Sequence, residues 1–294
     1  MGRHRKVKFS MHFKERLVAG MVGTVALSSC IYYSLTPFFK PIFILLNALV
    51  VGVALLEYYR LAEAKGFQPL TCISIGSSAF YIIALGFGNS SDSVLQLLPS
   101  LILWISFLLF FLVFLNNHPA PIGNLAITAF GILYLTVPIS CAIRINYCLP
   151  EQVCETGRMW LAYTLIISKI TDTGAYFCGK IFGKNKLAPS ISPHKTIEGA
   201  IGGMAAALMA SLLFFQITHL TRLFTATFAQ SIGIGLLISV LAQLGDLAES
   251  LLKRDAGVKD SSDLPGLGGI LDIVDSLVFS LPLMYLLLEM HIVG

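Results

Sequence analysis

The chain has 294 residues, of which 56% are hydrophobic and 12% are charged, and its mean hydropathy is +0.80. Soluble domains carry about 25% charged residues, so this composition excludes a soluble globular protein, a disordered chain and a disulfide-built secreted module. The net charge of +4 is too small for bulk nucleic-acid binding, and we expect no nucleic-acid partner. The remaining class is a protein that crosses the lipid bilayer several times.

The first 16 residues form a basic segment that contains Arg3, Arg5, Lys6, Lys8, Lys14 and Arg16. Such a cluster is typical of a cytoplasmic N-terminus. A signal peptide is the less favourable interpretation, because no small-residue cleavage site follows the apolar run that comes next.

Nine apolar segments follow, and each is close to the roughly 17–25 residues that a helix needs to cross a bilayer. They lie at about Leu17–Leu35, Ile42–Leu56, Pro69–Phe87, Val94–Leu115, Pro121–Ile143, Met159–Phe182, Gly199–Ile217, Thr227–Leu244 and Val274–Met290. Helices satisfy their backbone hydrogen bonds internally, and no alternating pattern indicates a barrel. We therefore predict an all-α polytopic integral membrane protein with about nine transmembrane helices.

The distribution of basic residues predicts the orientation of these spans. With the N-terminus in the cytoplasm, nine spans place the C-terminus outside. Counting Lys180 at the inner end of the sixth span as inside, this arrangement puts 15 of the 20 Lys and Arg residues inside and four outside, with Lys169 deeper within that span. The asymmetry obeys the positive-inside rule.

The chain divides into a basic N-terminus (1–16), a transmembrane scaffold of about five spans (17–158) and a C-terminal region of about four spans (159–294). The first 150 residues have almost no polar residues inside their spans, so we interpret them as lipid-facing scaffold. Cys148 and Cys154 share a loop predicted to lie outside, which leaves a local disulfide open. The unusual chemistry lies in the C-terminal region.

Acidic residues concentrate between Asp246 and Asp275, which contain seven of the sixteen in the chain. In the helix that leaves the eighth span, the spacing i, i+3, i+4, i+7 places a set of polar side chains on one face: Asp246, Glu249, Ser250 and Lys253. Asp272 and Asp275 share a face at the start of the ninth span. Carboxylates at span ends need partners, and hard oxygen ligands suit Mg²⁺. Two helices could thus direct three or four carboxylates at one metal ion.

Cations and glycines lie between these two helices. Lys253, Arg254 and Lys259 precede the turn Leu264–Gly269, whose glycine amides can approach a phosphate closely. Carboxylates, cations and glycines at one membrane boundary indicate metal-assisted phosphoryl or nucleotidyl transfer. For any single residue, a solvated loop with capping charges remains the simpler explanation.

A second polar segment runs from Lys169 to Gly202. Lys169 and Asp172 lie one turn apart in a span and are expected to neutralise each other. Ser192 and Pro193 favour an N-cap and first helical position, so that the next helix would present Lys195 and Thr196 to an anion. Two further features have simpler interpretations. His194 has no second histidine nearby and is expected to be neither ligand nor base, and the glycines at 199, 202 and 203 favour close helix packing.

The segment Ser250–Asp275 resembles the signature of phosphatidate cytidylyltransferases, also called CDP-diacylglycerol synthases. That signature has a Ser, a Lys-Arg pair, a Lys-Asp pair, a Pro-Gly-His-Gly-Gly turn and an Asp-Arg-x-Asp ending. The segment that starts at Asp172, DTGAYFCGKIFGKNKLAPSISPHKTIEG, is similar to the family's other membrane-boundary motif. This chain departs from the signature with Leu267 in place of the usual His and Ile273 in place of the usual Arg.

The resemblance implies the reaction of CTP with phosphatidate, giving CDP-diacylglycerol and diphosphate in phospholipid biosynthesis. It implies a multi-pass protein of the bacterial inner membrane, with Mg²⁺ as cofactor and a second cation and a homodimer left open. The catalytic set would be Asp246, Asp272, Asp275 and Lys253, with the three aspartates on the metal. The substrate-binding set would be Asp172, Tyr176, Lys195, Thr196, Glu198, Ser250, Arg254, Lys259, Asp260, Gly268 and Gly269.

Two alternatives belong to other classes. Another membrane phosphotransferase would act on a lipid phosphate, but the DGxxAR run of CDP-alcohol phosphotransferases does not occur here. An ion-coupled transporter could use Lys169, Asp172 and Asp246 as a relay. Transporters of that kind have repeated halves, and no internal repeat is visible in this sequence.

Overall fold

The computed structural model describes residues 29–88, 93–115, 120–149, 151–221, 226–258 and 269–293. Helices make up most of these ranges, with one π-helical turn and one short hairpin. In chain order the elements are α1 (Phe39–Ala64), α2 (Thr71–Phe87), α3 (Ser93–Phe114), α4 (Pro121–Gly131), the π-helical turn (Ile132–Thr136), α5 (Val137–Tyr147), α6 (Glu151–Phe182), β1 (Lys186–Ala188), β2 (Ser192–Thr196), α7 (Ile197–Thr221), α8 (Phe228–Asp255), α9 (Ile270–Val274) and α10 (Leu277–Glu289).

Within the described residues, six helical segments are long and apolar enough to cross a membrane: Phe39–Ala64, Leu95–Phe114, Pro121–Tyr147, Ile197–His219, Phe228–Asp255 and Ile270–Glu289. The chain is therefore a mostly helical polytopic membrane protein, as predicted. The apolar helix α2 is shorter, with 17 residues, and α6 covers the sixth predicted span with 32. The first predicted span, Leu17–Leu35, lies largely outside the described residues, so the count of nine stays a prediction.

Local sequence explains where several helices begin and bend. Thr227 caps α8 at the predicted position, because its Oγ1 accepts the N–H of Gln230 while the Gln230 side chain accepts the N–H of Thr227. The fifth predicted span is continuous from α4 to α5 but contains the π-helical turn. Pro138 follows that turn, and a proline inside a helix removes one backbone hydrogen bond, which accounts for the local widening.

The hairpin contradicts two predictions: that Ser192 caps a helix and that Thr196 lies within the first turn of that helix. Residues 192–196 do not begin a helix at Ser192, because they pair as β2 with β1 in antiparallel register. The helix starts at Ile197, and Thr196 takes the capping role when its Oγ1 accepts the N–H of Gly199. The fold is therefore all-α apart from this hairpin, whose strands lie between α6 and α7.

The glycines of the second polar segment allow α6 and α7 to pack closely. A Cβ atom on Gly202 would lie 2.2 Å from the Cβ of Cys178, and one on Gly203 would lie 2.8 Å from the carbonyl oxygen of Thr171. The prediction that these glycines serve helix packing is confirmed. The α6–α7 pair forms the most extensive helix contact among the described elements.

Polar contacts collect at two opposite ends of the helical bundle. At one end, Lys65 after α1 pairs with Asp255 at the end of α8, with Nζ and Oδ1 3.2 Å apart. Arg254 donates from Nε to the carbonyl oxygen of Ile191 in the hairpin turn. The C-terminal ends of α1 and α8 therefore lie on the same side as the hairpin.

At the opposite end of the helical bundle, hydrogen bonds join the other loops and helix ends. Tyr147 at the end of α5 donates its hydroxyl to the carbonyl oxygen of Ser34, and Gln230 at the start of α8 donates to that of Ile292. Cys148 Sγ lies 3.6 Å from the carbonyl oxygen of Leu85. Cys148 is a thiol in the structure, so the local disulfide with Cys154 that the sequence left open is not formed.

The ninth predicted span is broken near its start. Helix α9 ends at Val274 and α10 begins at Leu277, so Asp275 and Ser276 form a bend. Gly245 of α8 lies against this bend, where a Cβ atom would be 2.1 Å from the carbonyl oxygen of Asp275. The missing side chain at 245 thus lets α8 contact the bend directly.

We predict that Gly245→Ala separates α8 from the bend, because the clashing atom is backbone and cannot rotate away. Overpacking of this kind costs about 1–3 kcal/mol, so the thermal unfolding midpoint in detergent should fall by several degrees. Gly233→Ala is the matched control in the same helix, since a Cβ there meets nothing within 4 Å. Equal midpoints for the two variants would show that α8 does not need the close approach.

Candidate active site

Three carboxylates meet where α8 faces the bend after α9. One ligand oxygen from each of Asp246, Glu249 and Asp275 lies within 4.8 Å of the others. Asp246 and Glu249 share a face of α8, as their spacing predicts, and Asp275 approaches from the bend. Glu249 is 1% exposed and Asp275 is 5% exposed. We call these three residues the acidic trio.

Lys253 lies one turn beyond Glu249 and neutralises part of this negative charge. Its Nζ is 2.9 Å from Glu249 Oε2 and also donates to Asp272 Oδ1. The second oxygen of Asp272 accepts the N–H of Gly269. Asp272 therefore joins α9 to α8 through Lys253, and it lies outside the acidic trio.

A cavity of about 480 Å³ adjoins the trio at Asp246. Five predicted substrate-binding or metal residues contribute to its wall: Asp172, Tyr176, Lys195, Thr196 and Asp246. The rest of the lining is Ala175, Gly179, Lys180, Leu187, His194, Gly199, Ala200 and Gln243. The volume lies within the roughly 300–1,000 Å³ that is typical of small-molecule sites. The hairpin and the start of α7 therefore close one side of a pocket.

Lys195 connects the cavity with the acidic trio. Its Nζ lies 2.7 Å from Asp246 Oδ2, although Lys195 comes from β2 and Asp246 from α8. The spacing of the two residues in the chain gives no indication of this pair. The ammonium group lines the cavity next to the trio, where it can neutralise an anionic ligand.

Lys169 fixes the far side of the site. Its Nζ donates to the carbonyl oxygen of Ile273 and to Ser276 Oγ at 2.8 and 3.0 Å, and lies 3.6 Å from Asp172 Oδ2. The predicted pair with Asp172 is present, but the main contacts of Lys169 join α6 to the bend. Asp172 lines the cavity on the same face of α6.

The remaining predicted residues take different positions. Glu198 accepts the N–H groups of Lys184 and Asn185, so it holds the loop before β1. Ser250 is buried on α8, and Arg254 contacts the hairpin turn. Three predicted binding residues and one departure from the signature lie outside the described residues: Lys259, Asp260, Gly268 and Leu267.

The acidic trio fits a hard divalent cation. Its donors are carboxylate oxygens, the ligands that Mg²⁺ prefers, and Glu249 Oε1 is buried without a hydrogen-bond partner in the described part of the chain. Two predicted ligands, Asp246 and Asp275, are in the trio. The third member is Glu249, whose i, i+3 spacing from Asp246 was the available signal, while Asp272 is engaged by Lys253.

These features describe a polytopic helical membrane protein with a lysine-lined pocket next to a buried carboxylate cluster. The sequence profile of the cytidylyltransferase family matches residues 14–291. The chain is 34% identical over 290 residues to the phosphatidate cytidylyltransferase of Chlamydia muridarum, covering 94% of this chain and 92% of that protein. It is 34% identical over 287 residues to that of Chlamydia pneumoniae, covering 93% and 91%.

A phosphatidate cytidylyltransferase of Staphylococcus aureus is 44% identical over 147 residues, which is 50% of this chain and 55% of that protein. The chain belongs to the cytidylyltransferase family. The resemblance drawn from the two motifs is thereby confirmed, as is the prediction of a nucleotidyltransferase. The family gives no support to the transporter interpretation.

We predict that Lys253→Met lowers stability strongly, because it leaves Glu249 and Asp272 facing each other without their shared cation. Breaking a buried ion pair by removing one partner costs about 3–5 kcal/mol. Lys65→Met is the matched control, since the side chains of its pair with Asp255 are 42% and 69% exposed. Exposed pairs contribute about 0–1 kcal/mol.

Thermal unfolding of both variants in detergent measures the difference. A midpoint for Lys253→Met that equals the midpoint of Lys65→Met would contradict the buried bridge between α8 and α9.

Proposed function

We propose that the protein transfers the cytidylyl group of CTP to phosphatidate, giving CDP-diacylglycerol and diphosphate. The observation that carries this proposal is the position of Asp246, which belongs to the acidic trio and also lines the cavity beside Lys195. A pocket for an anionic ligand and a carboxylate cluster thus share one residue. The names of the full-length relatives support the same substrates.

The reaction needs little acid–base chemistry from the protein. A phosphate oxygen of phosphatidate attacks the α-phosphorus of CTP, and the bond from that phosphorus to the bridging oxygen of the β-phosphate breaks. The electron pair leaves with diphosphate. Because the nucleophile is already an anion, catalysis depends on positioning and on electrostatic stabilisation.

The cavity residues supply that positioning. Lys195 and Lys180 line the wall, where their ammonium groups can bind phosphate oxygens, and Lys180 Nζ lies 5.7 Å from the ring centroid of Tyr176. The ion pair with Asp246 holds Lys195 at the edge of the trio. A triphosphate bound there would have one end next to the carboxylates.

The acidic trio is the proposed site for Mg²⁺. Asp246, Glu249 and Asp275 would hold the cation, and the bound cation would supply positive charge to the phosphate oxygens. Asp272 and Lys253 act beside the trio in this proposal, because they hold α9 against α8.

The site is proposed to lie at the cytoplasmic face of a bacterial inner membrane, in a chain with nine spans. The two groups of end contacts support the alternation of these spans. Lys65, Ile191 and Asp255 come from loops predicted inside, and they lie together. Tyr147 and Ile292 come from segments predicted outside. They contact Ser34 and Gln230, which lie at the predicted outer ends of the first and eighth spans.

Reporter fusions test the direction of this topology. A reporter after Gly183 and one after Gly269 should report the cytoplasm, and one after Glu151 should report the outside, because this arrangement places 15 basic residues inside. A cytoplasmic signal at Glu151 would reverse the assignment.

The purified protein should convert labelled CTP to CDP-diacylglycerol only when phosphatidate and a divalent cation are present. Asp246→Asn and Asp275→Asn should each lower the rate roughly a hundredfold or more, because the amide keeps the shape but removes a charged ligand. Chromatographic separation of the labelled lipid measures the rate.

Asp255→Asn is the control, since this acid lies on α8 near the trio but its side chain is 69% exposed and pairs with Lys65. Its rate should equal that of the unaltered chain. Trio variants that insert normally and keep the full rate would place the metal elsewhere.

A further inference from the structure

A glutamate of the N-terminal scaffold contacts the start of α9. Glu57 lies on α1 and is 2% exposed. Its Oε1 accepts the N–H of Ile270 at 3.1 Å, and its Oε2 accepts the N–H of Leu271 at 2.8 Å. Both carboxylate oxygens therefore bind the backbone of one short helix.

The carboxylate of Glu57 supplies the hydrogen-bond acceptors that the first N–H groups of a helix lack. The first N–H groups of a helix have no partner within it and carry partial positive charge, so a carboxylate there is favourable. Helix α9 has only five residues, and its most extensive helix contact among the described elements is with α1. Its position therefore depends on neighbours rather than on its own length.

Two carboxylates of the site come soon after Leu271 in the chain. Asp272 is the residue after Leu271, and Asp275 lies four residues beyond Leu271. The other two members of the acidic trio, Asp246 and Glu249, come from α8. The geometry of the trio thus depends on how α9 and its bend are held against α8.

Glu57 and Lys253 hold α9 from two different helices, α1 and α8. Lys253 of α8 binds the side chain of Asp272, whereas Glu57 binds the backbone of the two residues before it. Glu57 is neither in the acidic trio nor in the lining of the cavity. Any effect of Glu57 on the cation must therefore act through α9.

We infer that Glu57 is a positioning residue, which sets the distance of Asp275 from Asp246 and Glu249 and thereby the affinity of the trio for a divalent cation. The inference rests on the proposed function for the identity of the metal site. It assigns to the N-terminal scaffold a direct part in building the site.

Glu57→Gln is the test, because the amide keeps the size but replaces one acceptor with an NH₂ group that faces a backbone N–H. Partners that orient metal ligands change metal affinity by about 10–100-fold, so Mn²⁺ binding to the purified protein should weaken at least tenfold. Electron paramagnetic resonance of free Mn²⁺ measures this without substrate. The Mg²⁺ concentration for half-maximal rate should rise similarly, and excess Mg²⁺ should restore most of the rate.

Glu63→Gln is the matched control on the same helix, since Glu63 is exposed. It should bind Mn²⁺ like the unaltered chain. Glu57→Asp keeps the charge but is one methylene shorter, so its affinity should fall between those of Glu57→Gln and the unaltered chain.

Equal Mn²⁺ affinity in Glu57→Gln and Glu63→Gln would overturn the inference. So would loss of the folded protein in both Glu57 variants, because Glu57 would then serve the whole fold, and so would an unaltered chain that binds no Mn²⁺. An unaltered chain that binds Mn²⁺ but makes no CDP-diacylglycerol would reject the proposed function, while the comparison of Glu57 variants would still decide this inference.

Discussion

Carboxylates buried within a bundle of apolar helices dictate how the C-terminal half is arranged. Removing a charge from water is costly, and each buried or half-buried acid therefore requires a positive partner or backbone donors. Lys253 meets this need for Glu249 and Asp272, and Lys195 meets it for Asp246. These lysines come from different elements, so the charges that make the site also hold β2, α8 and α9 together.

Much of the fold follows from local patterns in the sequence. Apolar runs located the helices, and the eighth predicted span began at Thr227, which the structure shows to be the N-cap of α8. The predicted start of α7, with Ser192 as N-cap and Pro193 as the first helical residue, was four residues too early. Ser192 and Pro193 have the composition of a helix start, but pairing with β1 across the turn outweighs that preference. Strand pairing is a longer-range contact, and the chain around Ser192 does not encode it alone.

The candidate site shows the same difference between local patterns, which the sequence reveals, and long-range contacts, which it does not. Asp246 and Asp275 could be predicted as site residues because acids at span ends are costly and need partners. Helical spacing also predicted that Glu249 lies beside Asp246. Contacts between elements far apart in sequence could not be predicted. The span that contains Glu57 was predicted to end at Leu56, which placed Glu57 in a loop, whereas α1 continues to Ala64 and buries it against α9. The N-terminal region is therefore more than lipid-facing scaffold.

Two lysines near the site, Lys169 and Lys195, use their N–H donors differently. An ammonium group has three N–H donors. Those of Lys169 face Ile273 O, Ser276 Oγ and Asp172, so none is left for a phosphate. Lys195 pairs with Asp246 in the described part of the chain and also lines the cavity. Of these two lysines near the same carboxylates, Lys169 therefore has its donors occupied within the fold, whereas Lys195 is the one that borders the cavity.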